Sequence, residues 1–290
     1  MSVLPPPDAA ADWTIPQRWD AYTPQHHARW RFLYDRQLRL LSGRAVPEFL
    51  EGVRLLDMGE GVPDFARLSE RLAKRTGWHV VAVPGLVPED VFFHHLAHRR
   101  FPAGTFLRGP HELDYLEAPD VFHDVFGHVP LLTHPVFADY LQAYGQGGLR
   151  SIRFGALDKL ARLYWYTVEF GLIATPEGLR IYGAGILSSA GESRYALESP
   201  IPRRLAFDLE RVMRTPYRID SFQDLYFVIA SFDDLLERTL RTDFAPLYAR
   251  LEALPDLSVT DLLPTDRIIE AGRTGAASGH PTCSPALLPN

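Results

Sequence analysis

The sequence predicts a mainly α-helical protein with a few short β-strands, built as a single domain of catalytic size. Apolar residues recur every three or four positions through much of the chain, as in the helix predicted over residues 25–41. Runs of β-branched residues are short and end in turns, as residues 79–83 do before Pro84-Gly85. The composition, 46% hydrophobic and 23% charged, is that of an ordinary globular chain.

The remaining elements follow from the same spacing rules. Further helices are predicted over residues 63–75, 88–98, 156–174, 205–214 and 232–252, and short strands over 105–108, 172–174 and 179–182. Pro119 and Asp120 favour a helix start, because proline fits the first helical position and aspartate suits the positive end. Gly127 is predicted to end that helix in a left-handed conformation.

The predicted organisation is a disordered leader over 1–12, a catalytic domain over 13–252 and an extended, largely disordered tail over 253–290. A single cysteine, Cys283, excludes an internal disulfide framework and fits a reducing compartment. No signal peptide and no apolar run long enough for a membrane span is present, so a cytoplasmic protein is predicted. The net charge of −6, without a basic stripe, argues against nucleic acid as a partner.

Two histidines, His123 and His128, stand five residues apart in an otherwise apolar segment. Imidazoles that converge in such a setting indicate a metal site. On an unbroken α-helix the two side chains would lie about 140° apart, at ~100° per residue, so a change of direction at Gly127 is needed to bring them together. The alternative, two core histidines with ordinary hydrogen bonds, stays open on spacing alone.

Glu169 is the candidate third ligand, because it lies among aromatic and aliphatic residues. A buried carboxylate without a partner is very costly, so it is nearly always paired or bound to a metal. Pairing with Arg162 or Arg180, or exposure to solvent, remains the rival interpretation. With His123 and His128 it would form a 2-His-1-carboxylate set, which is typical of non-haem Fe(II).

A competing metal cluster is offered by His94 and His98, which stand four residues apart. Arg99 and Arg100 follow directly, and positive charge beside a cation is unfavourable. A partly exposed helix face is the favoured interpretation of this pair.

Three segments, residues 119–132, 164–172 and 182–189, together resemble the pterin-dependent aromatic amino acid hydroxylases. The resemblance covers roughly residues 25–245. It implies a hydroxylase-type catalytic domain with Fe(II) held by His123, His128 and Glu169, and with a tetrahydropterin (tetrahydrobiopterin or a bacterial analogue) and O₂ as co-reactants. L-Phenylalanine, converted to L-tyrosine, is the implied substrate, and tryptophan is the alternative.

The resemblance also implies roles for residues around the metal. The pterin contacts would be Gly85, Leu86, Val87, Phe92, Asp124 and Tyr164. The substrate contacts would be Arg108, Trp165, Gly185 and Ser188, with Glu192 as a supporting acid that orients this region.

Some features depart from the family or leave other classes open. Leu116-Glu117 stands where animal members carry Thr-Pro, so a substrate contact there is in doubt. About 12 residues precede residue 13, which predicts that the chain has no regulatory domain of the animal type. The residues after 254 carry no apolar heptads, which predicts a monomer.

A zinc hydrolase with the same ligands and a non-catalytic metal or pterin binder are the rival classes. Gly183-Ala184-Gly185 lacks the third glycine of a dinucleotide fingerprint.

Overall fold

The computed structural model describes residues 4–114 and 118–270. Its α-helices are α1 (Pro24–Leu41), α2 (Pro47–Leu56), α3 (Phe65–Thr76), α4 (Glu89–Ala97), α5 (Pro135–Ser151), α6 (Leu157–Tyr164), α7 (Ala184–Leu187), α8 (Glu192–Glu198), α9 (Leu209–Met213), α10 (Phe232–Arg241) and α11 (Phe244–Glu252). The strands are β1 (His79–Val83), β2 (Arg100–Gly104), β3 (Leu172–Thr175), β4 (Gly178–Ile181), β5 (Arg203–Ala206) and β6 (Leu225–Ile229). The predicted class, mainly helical with short strands, is confirmed. None of the described helices is long and apolar enough to cross a membrane.

Two small sheets lie among the helices. Strands β1 and β2 pair in parallel, with α4 as the crossover between them, and Val83 lies opposite Gly104. The larger sheet has the order β4-β3-β6-β5, in which β3 and β4 form an antiparallel hairpin and the other pairs are parallel. Strand β6 is buried along its whole length, as expected of a central strand covered on both faces.

Some helical segments are not α-helices. Residues Phe122–His128 and Trp165–Glu169 form π-helical turns, and a 3₁₀ turn over Val129–Thr133 follows the first. The side chains of Phe122 and Phe126 stack with centroids 4.8 Å apart inside the main hydrophobic core. Both π-helical turns therefore contribute side chains to the main hydrophobic core.

Several predicted elements were placed wrongly. The strand expected over 105–108 lies instead at Arg100–Gly104, because that stretch pairs in register with β1. The helix expected over 205–214 begins only at Leu209, where Asp208 accepts a hydrogen bond from the Arg211 amide, and strand β5 precedes it. The helix expected over 232–252 is two helices, because Asp243 caps a new one. The α2 and α5 helices and β6 were not predicted.

The ends of the described chain are attached to the domain. In the predicted leader, the Asp12 carboxylate lies 2.9 Å from Arg100, and the Asp12 carbonyl lies 2.8 Å from a ring nitrogen of His95. In the predicted tail, Asp256 accepts two hydrogen bonds from Arg162. Residues 1–3, Leu116-Glu117 and 271–290, with Cys283, lie outside the described residues. The domain boundaries stay predictions.

Helices α4 and α5 approach each other closely through glycines. A methyl group on Gly145 would overlap the Ala97 backbone, and one on Gly148 would overlap the Phe93 ring. Gly147, on the same helix, has no atom within 4 Å of the position a Cβ would take. Close contact at this crossing therefore depends on two of the three glycines.

We expect Gly148→Ala to lower the free energy of unfolding by about 1–3 kcal/mol, because the added methyl overpacks against Phe93. Gly147→Ala is the matched control and should raise it by about 0.5–1 kcal/mol, since glycine is a poor helix former. Urea unfolding monitored by circular dichroism gives both values. Equal effects of the two substitutions would contradict the close-packing account.

Candidate metal centre and active site

The π-helical turn from Phe122 to His128 brings the two predicted histidine ligands together. In a π-helix the hydrogen bonds run from residue i to i+5, so side chains five residues apart lie one turn apart on the same face. The imidazole centroids of His123 and His128 are 5.1 Å apart, and their Nε2 atoms are separated by 3.3 Å. The convergence that an α-helix could not provide is thus a property of this wider turn.

Gly127 does not end the helix in a left-handed conformation, so that prediction was wrong. It is not among the residues with positive φ, and the chain continues directly into the 3₁₀ turn. Its lack of a side chain serves close packing instead, because a Cβ there would lie 2.9 Å from the carbonyl oxygen of Ala184. This contact lets α7, which precedes Ser188, approach the histidines.

Glu169 completes the predicted triad. It is the last residue of the second π-helical turn, and its carboxylate oxygens lie 3.1 Å from His128 Nε2 and 3.6 Å from His123 Nε2. One ligand atom from each residue lies within 4.8 Å of the others, the only such cluster of three among the described residues. The rival arginines are engaged elsewhere, since Arg162 binds Asp256 and Arg180 donates to the Leu179 carbonyl.

Burial and neighbouring charges shift the pKa values of His123 and Glu169. Burial lowers the pKa of His123 to about 4, although the nearby Glu169 carboxylate acts in the opposite sense. Burial also opposes ionisation of Glu169, but the adjacent His128 and His123 outweigh it and keep the Glu169 pKa below its usual value. Neutral imidazole with an ionised carboxylate is the state in which these groups bind a cation.

Ser188 orients the first imidazole. Its hydroxyl donates to the Ala184 carbonyl at 2.8 Å, so its oxygen is left to accept from His123 Nδ1 at 3.0 Å. A proton on Nδ1 leaves the Nε2 lone pair directed at the cluster, as is usual for metal-binding histidines. The donor set therefore fits a divalent cation such as Fe(II).

The competing pair does not form a second site in the described chain. The rings of His94 and His98 lie 4.3 Å apart at an exposed end of α4, and no carboxylate joins them in a cluster of three. His98 Nδ1 contacts the His94 carbonyl at 2.8 Å, an ordinary bond within the helix.

An aromatic wall lies on one side of the triad and includes two predicted pterin contacts. The His128 ring lies 4.9 Å from Phe101 and 6.3 Å from Tyr164. Tyr164 in turn packs edge-on against Phe92 at 5.6 Å. Tyr164 thus lies beside the metal cluster and Phe92 lies beside Tyr164, and their role as pterin contacts stays a prediction.

The other predicted pterin residues lie at the end of the β1–β2 pair. Asp124 accepts a hydrogen bond from the Gly104 amide at 2.7 Å, and Gly104 lies opposite Val83 at the end of β1. The loop of Gly85, Leu86 and Val87 begins there, and Gly85 has a φ of 153° that favours glycine. Leu86 is 81% exposed. Burial raises the pKa of Asp124 to about 7.

Arg108 is held in a buried ion pair that the sequence did not predict. Its Nε and Nη2 donate to the two carboxylate oxygens of Asp120, at 2.9 and 2.8 Å. Asp120 also accepts from the Arg108 and His123 backbone amides, so it caps the turn that carries the two histidines as well. No hydrogen bond within the described chain occupies Arg108 Nη1, which leaves one edge of the guanidinium able to take a carboxylate.

The other predicted substrate contacts lie beside the second π-helical turn. The Trp165 indole contacts Phe170 with centroids 4.8 Å apart, and a Cβ on Gly185 would lie 2.8 Å from the same phenyl ring. Glu192 is buried, and its carboxylate accepts hydrogen bonds from the Tyr226 hydroxyl at 2.7 Å and the Gln223 backbone amide at 3.2 Å. Gln223 was not identified from the sequence, although it contacts Trp165 directly.

The fold and the triad define the class to which the chain belongs. The family model described as biopterin-dependent aromatic amino acid hydroxylase matches residues 13–250. The chain belongs to this family of biopterin-dependent aromatic amino acid hydroxylases.

The relatives are more specific. The chain is 60% identical over 275 residues to a phenylalanine-4-hydroxylase of Caulobacter vibrioides, covering 94% of this chain and 93% of the relative. It is 58% identical over 264 residues to that of Chromobacterium violaceum, covering 91% and 89%. The structure of the Chromobacterium violaceum phenylalanine hydroxylase with iron and phenylalanine bound is similar, with a TM-score of 0.85, 57% identity and coverage of 90% of this chain and 95% of that one.

We expect Asp120→Ala to destabilise the fold by about 3–5 kcal/mol, because it leaves the Arg108 guanidinium buried without its partner. Asp234→Ala is the control: it removes an exposed pair with Arg238 and should change stability by less than about 1 kcal/mol. Thermal unfolding of both variants tests this. A small effect at Asp120 would show that Arg108 does not depend on it.

The buried Glu192 carboxyl group should make the stability of the folded protein depend on pH. Burial raises its pKa from 4.5 to about 7, so the folded protein retains this proton more tightly than the unfolded chain does. Its contribution to stability is therefore fully present below about pH 4.5 and declines as the pH rises through about 7. Relative to Glu192→Gln, the wild type should lose up to roughly 3 kcal/mol over this range. Parallel stability curves for the two proteins, measured by urea unfolding from pH 4 to 8, would contradict this.

Proposed function

We infer that this protein is a phenylalanine 4-monooxygenase, which hydroxylates L-phenylalanine to L-tyrosine with O₂ and a tetrahydropterin at a non-haem Fe(II) centre. The observation that carries this is the convergence of His123, His128 and Glu169 in a member of the biopterin-dependent hydroxylases. The phenylalanine-4-hydroxylases that share about 60% of its residues support the choice of substrate.

The three ligands would hold the iron from one side. Two imidazole nitrogens and one carboxylate oxygen are a set that suits ferrous iron and does not fill its coordination shell. Bound together, Fe(II) and the tetrahydropterin supply the electrons that activate O₂ for insertion into the aromatic ring. Ser188 contributes by keeping the His123 ring turned so that Nε2 faces the cluster.

The pterin would lie against the aromatic wall. Phe92 offers a ring face at the edge of Tyr164, and the backbone of Gly85, Leu86 and Val87 offers amide and carbonyl groups for the polar edge of a pterin. Asp124, with its pKa raised to about 7, can donate or accept a hydrogen bond close to neutral pH. These six residues stay proposals as pterin contacts.

The amino acid substrate would be held at both ends. Arg108, fixed by Asp120 and with Nη1 still open, can bind the substrate carboxylate. Trp165, with Gly185 beside its neighbour Phe170, would face the aromatic ring. An aromatic lining excludes water from the reaction, which protects the oxidant from side reactions. The family and relatives do not favour a zinc hydrolase or a tryptophan hydroxylase.

The predicted cytoplasmic location and monomeric state also remain proposals. Size-exclusion chromatography with light scattering would test the second, for which the mass of one 32.8 kDa chain is expected.

The direct test is product analysis. The protein is loaded with Fe(II) without oxygen, then mixed with O₂, a reduced pterin and either L-phenylalanine or L-tryptophan. Tyrosine should be the main product, formed only when iron and pterin are both present. Formation of hydroxytryptophan in preference to tyrosine would overturn the substrate, and turnover without iron would overturn the mechanism.

Glu169→Ala should lower iron affinity and abolish tyrosine formation, because it removes the one anionic ligand. His98→Ala, which removes a histidine of the competing pair, should leave both unchanged. Iron content after gel filtration and initial rates give the comparison. Iron loss in His98→Ala but not in Glu169→Ala would refute the assignment.

A further inference from the structure

One loop, residues 215–223, provides both a stacking contact and a hydrogen bond to the indole of Trp165. Tyr217 stacks on its face with centroids 4.2 Å apart and an angle of 15° between the rings. Gln223 accepts a hydrogen bond from the indole Nε1 at 3.1 Å. The neighbouring Tyr166 donates its hydroxyl proton to the Pro216 carbonyl at 2.9 Å, which fastens the same loop to the same turn.

Gln223 is itself held in one orientation. Its side-chain nitrogen Nε2 donates to the Arg218 carbonyl at 2.8 Å, so the side-chain oxygen Oε1 must face the indole. Its backbone amide donates to Glu192, which is also bonded to the Tyr226 hydroxyl. The residue is only 3% exposed, and a buried side-chain amide with both ends satisfied has little freedom to turn.

The position of the indole matters because Trp165 begins the turn that Glu169 ends. Glu169, the last residue of this segment, is the proposed metal ligand. Trp165, its first residue, is the proposed wall of the pocket for the substrate ring. On the other side, Phe170 links the indole to Gly185. A rotation of the indole would therefore change the space available at the proposed substrate contacts.

We propose that Gln223 is a positioning residue that, with Tyr217, fixes the Trp165 indole and thereby sets the preference for the phenylalanine ring over the larger tryptophan ring. This rests on the proposed function. A fixed wall disfavours an indole substrate, because accommodating it would break the buried hydrogen bond to Gln223. Gln223 touches neither substrate nor metal and acts through Trp165.

Substitution of the amide tests the proposal. Gln223→Leu keeps much of the volume but removes the acceptor, so the ratio of kcat/KM for phenylalanine to that for tryptophan should fall about tenfold, the worth of one buried hydrogen bond. The change should lie mainly in KM for tryptophan, which falls. A merely structural role predicts that both substrates lose activity equally and the ratio is unchanged, which would overturn the proposal.

A double-mutant cycle gives the specific control. Trp165→Phe removes the N–H that Gln223 accepts, so Gln223→Leu made in that background should leave the ratio where Trp165→Phe alone puts it. An equal effect of Gln223→Leu in both backgrounds would show that it does not act through the indole. If Gln223→Leu does not fold, Tyr217→Leu, at a half-buried position, should shift the ratio in the same direction, and an unchanged ratio refutes the proposal.

Calorimetric binding of L-phenylalanine and L-tryptophan to the iron-loaded protein separates this inference from the proposed function. If wild type makes no tyrosine, the proposed function fails. The ratio of the two dissociation constants in wild type and Gln223→Leu then still decides the role of Gln223: a tenfold shift supports it and no shift overturns it.

Discussion

The i to i+5 hydrogen-bond register of the turn Phe122–His128 is the constraint on which the site depends. It places two histidines on one face where an α-helix would separate them. Such turns are rare, and here neighbours stabilise this one: Asp120 accepts the His123 amide at its start, and Phe122 stacks on Phe126 within the core. The absence of a side chain at Gly127 allows α7 to pack against it.

The second π-helical turn joins the proposed metal ligand Glu169 to the proposed substrate contact Trp165. Glu169 and Trp165 are its two ends, separated by four peptide units. Their surroundings differ: the carboxylate faces two imidazoles, whereas the indole is held by a loop that is distant in sequence. The proposed metal ligand and the proposed wall of the substrate pocket therefore share one short segment.

The sequence identified the triad but not the way it forms. His123, His128 and Glu169 stood out because polar groups in apolar surroundings need a partner, and that argument does not depend on the backbone. The wider helical turn has no known sequence signature of its own, so the change of direction was assigned to Gly127. Arg108 was found through family resemblance, but its pairing with Asp120 was not, because Asp120 also fits a helix start. Gln223 lies in a polar loop 58 residues from the indole that it binds, and spacing carries no information about such a contact.

X-ray absorption at the iron edge of the anaerobic ferrous protein tests the central claim most directly. Imidazole rings give a distinct multiple-scattering signal, and its amplitude gives the number of imidazole ligands. Two imidazole ligands are expected, with the rest of the coordination shell made of oxygen. A spectrum with one imidazole or none would mean that the five-residue register does not bring His123 and His128 to the same ion, and the site would have to be assigned elsewhere.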